Sequence, residues 1–198
     1  MLKLLKWIKS KLPFLWTMIQ WFNGLLIKIF FGKRINTAMQ RYLPQKDNNC
    51  YDYRLVEHTD LPLLVDLMQR QPEGYDNFFK PHKFDLKTFN RIYKNDAFLM
   101  MGVFDGPKAI GYFFVRFFSN KKSFRGYMVD AAYQGKGIAK TMGQIITNIS
   151  TRSQFRMFAT ISKYNVKSMA ASQAVNELKI LEKMDNGDYY VEYLPKTK

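Results

Sequence analysis

The chain has 198 residues, 31 Lys and Arg against 16 Asp and Glu, and a formal charge of +15. A hydrophobic fraction of 47% with 24% charged residues excludes disorder throughout, and the length allows one full domain plus an appendage. The single cysteine, Cys50, excludes an internal disulfide and favours a reducing, cytoplasmic compartment; two histidines and one cysteine are too few for a structural zinc site, so no metal is expected.

The charge is uneven. Residues 1–46 hold nine basic side chains (Lys3, Lys6, Lys9, Lys11, Lys28, Lys33, Arg34, Arg41, Lys46) and no acidic one, while 22 basic and 16 acidic side chains leave only +6 for residues 47–198. Met1, Leu4, Leu5, Ile8 and Leu12 share a helical face, with Lys3, Lys6 and Lys9 mostly opposite. Leu12–Phe31 then forms an apolar run broken by Pro13, Gln20, Asn23, Gly24 and Lys28. This pattern predicts a basic, aromatic, amphipathic helical arm over 1–46, lying on an anionic membrane surface at the cytoplasmic, inner face. A spanning segment and an arm packed on its own domain or a sister subunit are the alternatives, and the oligomeric state stays open. Phosphate-binding arms are seldom so rich in Leu, Ile, Phe and Trp, so no nucleic-acid partner is expected.

From Cys50 the periodicity changes. Tyr51–Val56 alternates like a strand, and Thr59 is placed to cap a helix over Asp60–Gln69, with Pro62 in its first turn. Gln71–Phe84 carries Pro72, Gly74 and Pro81 and reads as loop; Leu86–Lys94 reads as a short helix. Three strands follow, Ala97–Phe104, Lys108–Phe118 and Ser123–Val129, separated by Asp105-Gly106-Pro107 and Ser119–Lys122. Then come a helix over Gly137–Ser150, a strand over Phe155–Ser162, and a helix from Val166 to about Val175. The chain ends in a hairpin, Lys179–Met184 and Tyr189–Leu194, turning at Asp185-Asn186-Gly187. This order predicts an α/β (α+β) domain over 47–198: a mixed central sheet with helices on its faces.

The most informative stretch is Val129-Asp130-Ala131-Ala132-Tyr133-Gln134-Gly135-Lys136-Gly137-Ile138-Ala139-Lys140, where a strand ends, glycines follow and a helix begins. Glycine lets backbone approach a ligand, and a helix start presents unpaired N–H groups to phosphate. A Walker loop needs Gly before Lys-Thr, but Ala139 precedes Lys140-Thr141. The dinucleotide fingerprint fails because its third glycine position holds Lys140. Gln or Arg, two residues, Gly, one residue, then Gly or Ala is satisfied by Gln134, Gly137 and Ala139.

With that loop in this element order, residues from about Tyr53 to Tyr193 resemble the GNAT superfamily of N-acyltransferases. The resemblance implies a largely antiparallel sheet and an acyl-CoA-dependent enzyme that moves an acetyl group from acetyl-CoA to a primary amine. It places the coenzyme's pyrophosphate on the backbone of Gln134, Gly135, Lys136, Gly137, Ile138 and Ala139. It places the pantetheine arm along Tyr127–Asp130, with the Met128 or Val129 amide polarising the thioester. Asn165 matches a residue that contacts pantetheine, and it can equally cap the helix after it. Seven residues on, where the family often carries a thiolate-protonating Tyr, this chain has Ser172, so another Tyr, a water or unassisted departure must serve. Lys163 and Lys167 are candidates for the remaining phosphate.

Candidate general bases are Glu57, His82, Asp130 and Glu192. His82 lies in Asn77-Phe78-Phe79-Lys80-Pro81-His82-Lys83-Phe84, and Asp130 closes the coenzyme strand. This aromatic loop resembles that of family members that acetylate amino sugars on nucleotide carriers in surface-polysaccharide biosynthesis. The expected acceptor is therefore a small-molecule amine, first an amino sugar on a nucleotide or lipid carrier. A peptide or protein amine is the second choice, and a non-catalytic acyl-CoA-binding or membrane-scaffold module is the third.

Overall fold

The computed structural model describes residues 12–48 and 50–196. The amphipathic face predicted over Met1–Lys11 lies outside them. Helix α1 (Pro13–Tyr42) opens on a proline, whose missing N–H costs nothing in a first turn. It is followed by β1 (Gln45–Lys46), β2 (Asp52–Leu55), α2 (Leu61–Gln69), α3 (Leu86–Tyr93), β3 (Phe98–Asp105), β4 (Lys108–Phe117) and β5 (Lys122–Val129). Next come α4 (Ile138–Arg152), β6 (Arg156–Ile161), α5 (Val166–Val175), β7 (Asn176–Lys183) and β8 (Tyr189–Pro195).

The strands form one eight-stranded sheet in the order β1-β2-β3-β4-β5-β6-β8-β7. Every neighbouring pair is antiparallel except β5–β6. This is the mixed, largely antiparallel sheet that the sequence implies. On one face α2 and α3 bury Leu61, Leu64, Leu67 and Phe89 against Tyr112, Phe114 and Met128. On the other, α1 and α4 bury Ile35, Met142 and Ile146 among Phe113, Val115 and Phe117. Because both faces are covered, β4 is apolar at nearly every position rather than at alternate ones.

Helix boundaries shift slightly where side chains cap them. Ahead of α2, Glu57 and Asp60 form a reciprocal capping box around a 3-10 turn, in place of the predicted Thr59 cap. Strand β7 starts at Asn176, directly after α5 and three residues earlier than predicted, because Asn176 is buried and bonded to Thr147 of α4.

Helix α1 runs well past the apolar segment. Its second half shares the main core through Ile27, Ile35 and Ala38, all under 7% exposed. Asn23 donates from Nδ2 to the Phe117 carbonyl at 2.9 Å and accepts from the Ser119 amide at 3.1 Å. Arg34 donates to Gln154 Oε1 at 2.7 Å, so the helix is bonded to the turns that follow both β4 and α4. On its first half Phe14, Met18, Trp21 and Phe22 face outward, as do Ile29 and Phe30 farther along.

The sheet opens between β5 and β6. β5 and β6 pair only at Lys122↔Arg156, Ser123↔Met157 and Phe124↔Phe158. Beyond Phe124, β5 continues to Val129 paired with β4 alone, and β6 continues to Ile161 paired with β8 alone. The two strands part into a wedge whose vertex lies at Phe124 and Phe158.

Candidate functional site

The wedge opens toward the glycine loop. Gly135 and Gly137 have φ of +79° and +80°, a region where L side chains are strained. A Cβ at either position would meet nothing within 4 Å, so backbone conformation and not crowding requires glycine there. Gly137 is the N-cap of α4 with no side-chain cap, which leaves the first amides of that helix facing outward. Unpaired amides at the positive end of a helix dipole suit a phosphate.

The backbone of β5 supplies a second row of donors. The Asp130 amide donates to the Ile110 carbonyl at 2.8 Å, and the register pairs Gly111 with Val129 and Tyr112 with Met128. Antiparallel ladders alternate, so Met128 spends its amide on β4 while Tyr127 and Val129 turn theirs toward the wedge. Of the two amides predicted to face a thioester, the ladder therefore leaves Val129, and it adds Tyr127 in place of Met128.

Side chains lock this edge. Tyr75, from the loop between α2 and α3, donates its hydroxyl to the Val129 carbonyl and accepts from Gln134 Nε2 at 3.0 Å. Burial raises the Tyr75 pKa, so the hydroxyl stays protonated and remains a donor. Lys167 donates to Gln134 Oε1 at 3.1 Å, and Lys136 reaches the Tyr51 hydroxyl at 3.3 Å. Asn165 caps α5 by accepting from the Ser168 amide at 3.0 Å. Ile138 is buried and Ala139 half-buried, which seats the loop on the core. Tyr75 was missed from sequence, because a lone Tyr in a Pro- and Gly-rich loop carries no periodic signal.

The three predicted catalytic side chains have separate surroundings. His82 sits among Phe84, Phe89, Phe98, Tyr112 and Phe114. Its Nδ1 faces the Lys83 carbonyl at 2.8 Å and must carry the proton, so Nε2 accepts from the Tyr112 hydroxyl at 3.1 Å. Burial pulls its pKa below the usual value and holds the ring neutral. Both nitrogens are thus committed to organising the aromatic loop.

Asp130 is 4% exposed, with Oδ2 taking Arg70 Nε at 2.9 Å and Oδ1 taking the Ala132 amide at 3.0 Å. It fixes the exit from β5. Glu192 pairs with Arg156 through both oxygens, at 2.7 and 2.8 Å, and that bond keeps its pKa below the usual range.

Ser172 is fully buried and receives Arg125 Nη2 at 3.1 Å, with the Tyr193 hydroxyl 3.3 Å away. The sheet face opposite this network carries an aromatic wall. Phe124, Phe158 and Tyr190 stack there with interplanar angles of 17–34°. Phe79 lies over Gly126, where a Cβ would come within 3.0 Å of Phe79 and 2.6 Å of Phe114. Among the described residues, no group of three His, Cys, Asp or Glu is placed to hold a metal ion.

No family model and no curated relative matches the sequence. The fold does match solved structures. The GNAT domain of PAT from S. lividans superposes with a TM-score of 0.62 at 16% identity, covering 73% of this chain and 90% of that one. The ribosomal-protein-S5-alanine acetyltransferase from Vibrio fischeri gives 0.60 at 20% identity, covering 77% and 96%. PaiA N-acetyltransferase from Thermoplasma acidophilum, solved with coenzyme A, gives 0.57 at 17% identity, covering 74% and 99%. Together with the parted strands and the glycine loop, these superpositions establish that the chain has the GNAT fold.

Proposed function

We propose that the protein is an acyl-CoA-dependent N-acyltransferase that acetylates a primary amine. The observation that carries this reading is the joining of a positive-φ glycine loop at a helix start to a β5 edge whose amides face an open wedge. A pyrophosphate fits the α4 amides, and an amide-rich linear arm fits the edge at Tyr127 and Val129. Acetyl-CoA bound there supplies an activated carbonyl and a thiol leaving group. A fixed backbone N–H beside that carbonyl stabilises the charge that builds on its oxygen when an amine attacks. Tyr75 and Gln134 hold the edge in place, and the seating of both reactants supplies much of the remaining acceleration. With Glu57 in its capping box and His82, Asp130 and Glu192 engaged elsewhere, the amine's proton passes to solvent.

Phe79 above Gly126 and the wall of Phe124, Phe158 and Tyr190 favour an acceptor with a flat or ring-shaped body, first an amino sugar on a nucleotide or lipid carrier. That acceptor class belongs to surface-polysaccharide biosynthesis. A protein or peptide amine is the second choice, since one of the superposed enzymes is an alanine acetyltransferase of a ribosomal protein. The test is release of free thiol from acetyl-CoA by the full chain over a panel of amino sugars, aminoglycosides and peptide N-termini. Turnover with one class names the acceptor. Tight acetyl-CoA binding with no turnover on any of them supports a binding or scaffold module.

We propose further that α1 seats the enzyme peripherally on the inner, anionic face of a membrane. The outward Phe14, Trp21, Phe22 and Phe30 and the acid-free basic residues 1–46 support this. By length and composition α1 could cross a bilayer. Yet Asn23 already bonds to the domain, and Ile27, Ile35 and Ala38 are buried in its core, so α1 from Asn23 onward is packed on protein.

A further inference from the structure

Four charged side chains are buried among the described residues: Asp60, Asp130, Glu192 and Arg125. Three have an opposite charge in contact, namely Arg54, Arg70 and Arg156. Arg125 does not. It is 6% exposed, and its contacts are all neutral: Ser172 Oγ at 3.1 Å, Asn176 Oδ1 at 3.4 Å and the face of the Tyr193 ring at 3.6 Å. Its Nε has no hydrogen-bond partner, and neither has the buried hydroxyl of Tyr127, whose ring lies 5.3 Å from the guanidinium carbon. A buried cation without a counter-charge, beside two unmet donors, suits an anion.

Its place in the fold says which anion. Arg125 follows Phe124, the last residue of β5 to pair with β6, so it stands at the vertex of the wedge. Phosphate enters at the other end, on α4. An arm laid along the Val129 and Tyr127 amides therefore runs toward Arg125 and carries its sulfur there. Resting on the acyl-CoA reading above, we propose that Arg125 is an anion-binding residue that pairs with the thiolate of coenzyme A as it is released, in place of a proton donor. The amine nitrogen bonds to the acyl carbon, and the carbon–sulfur bond breaks with its electron pair going to sulfur. The amine's proton passes to water, and the sulfur leaves as an anion facing the guanidinium. Ser172, Asn176 and Tyr193 hold that guanidinium in place. A tyrosine at position 172 would compete with Arg125 for the same space.

The experiment is calorimetric titration of the full chain with coenzyme A and with acetyl-CoA, in two buffers of different ionisation enthalpy, at pH 7 and 8. A thiol moved about two units down from its ordinary value near 8.5 releases between about half and one proton on binding at pH 7, whereas acetyl-CoA releases none. Arg125→Gln then loses proton release. Its affinity for coenzyme A relative to acetyl-CoA drops about fourfold at pH 7 and about twentyfold at pH 8, and Arg125→Lys keeps most of both effects. The wild-type measurement stands even where a variant fails to fold. Acetyl-CoA and coenzyme A binding alike, with no proton released, overturns the proposal and leaves the acyltransferase reading intact. Succinyl-CoA gaining affinity through Arg125 without proton release overturns it too, and gives the cation to an acyl carboxylate. Neither ligand binding overturns the acyltransferase reading itself.

Discussion

Asp60 receives Arg54 in a two-pronged pair, Nη1 on Oδ2 at 2.5 Å and Nη2 on Oδ1 at 2.9 Å, and the Glu57 amide adds a third bond at 2.7 Å. The pair joins β2 to the start of α2 and lets Asp60 be 5% exposed. Burial by itself would raise the Asp60 pKa, but the Arg54 and Glu57 bonds outweigh it and the net shift is downward. A depressed folded-state value means the pair's stability is present above the unfolded carboxylate value, near 3.9, and is lost as pH falls through the folded one. Asp60→Asn should cost about 2 kcal/mol at pH 7. That deficit should shrink below about pH 4, which denaturant midpoints across the range measure.

His82 gives a second pH window with the opposite chemistry. Its pKa is lowered by burial, so the folded protein resists protonation that the unfolded chain accepts near pH 6.5. Stability is full above that value and declines as pH falls toward the folded one. The melting temperature of the wild type should drop between pH 7 and 5. His82→Gln should be less stable at pH 7, and the gap should narrow at pH 5.

Gly137→Ala should fold with a loss of about 1 kcal/mol, because its φ of +80° penalises any Cβ while no neighbour crowds one. Gly137→Glu should lose coenzyme A binding altogether through its charge. Calorimetry beside a melting curve separates the two effects.

Tyr75→Phe removes the hydroxyl that bridges the Val129 carbonyl and Gln134. The expected outcome is a stability loss of about 1 kcal/mol and weaker coenzyme A binding, with the circular dichroism spectrum unchanged.

The two sides of α1 should separate by mutation. Ile35→Ala, in the core, should cost about 3 kcal/mol. Phe22→Ser with Phe30→Ser, both exposed, should leave the melting temperature nearly unchanged and reduce binding to anionic vesicles. Unchanged vesicle binding would remove the anchor.

The sheet and the loop were legible because their signals are local. Glycines before a helix, turn residues between apolar runs and the unbroken apolar stretch of β4 each constrain the backbone where they stand. The parting of β5 and β6 was not legible, since Gly126-Tyr127-Met128-Val129 reads as strand whether or not it has a second neighbour. Arg125 was hidden for a related reason: an Arg between Phe124 and Gly126 alternates like a solvent-facing residue, and only the packing of Gly143, Ser172, Asn176 and Tyr193 around it makes it buried. In α1, Ile27, Phe31, Ile35 and Ala38 keep the spacing of a core-facing stripe. The apolar side chains around the rest of the helix mask it, so its docking could not be separated from membrane contact.

Helix α1 is attached twice, through Asn23 at one turn and Arg34 at the other, with Ile27, Ile35 and Ala38 in the core between and beyond them. A flexible tether would let the domain tumble above a lipid surface. Under the membrane seating proposed above, this helix would act as a keel: with its outer stripe on lipid, the domain would take one attitude. The sheet face bearing α4 then turns toward the bilayer, and the face bearing α2, α3 and Phe79 looks out to the aqueous side. In that attitude an acceptor amine reaching Phe79 would come from solution, or on a head group long enough to reach around the flank of the domain.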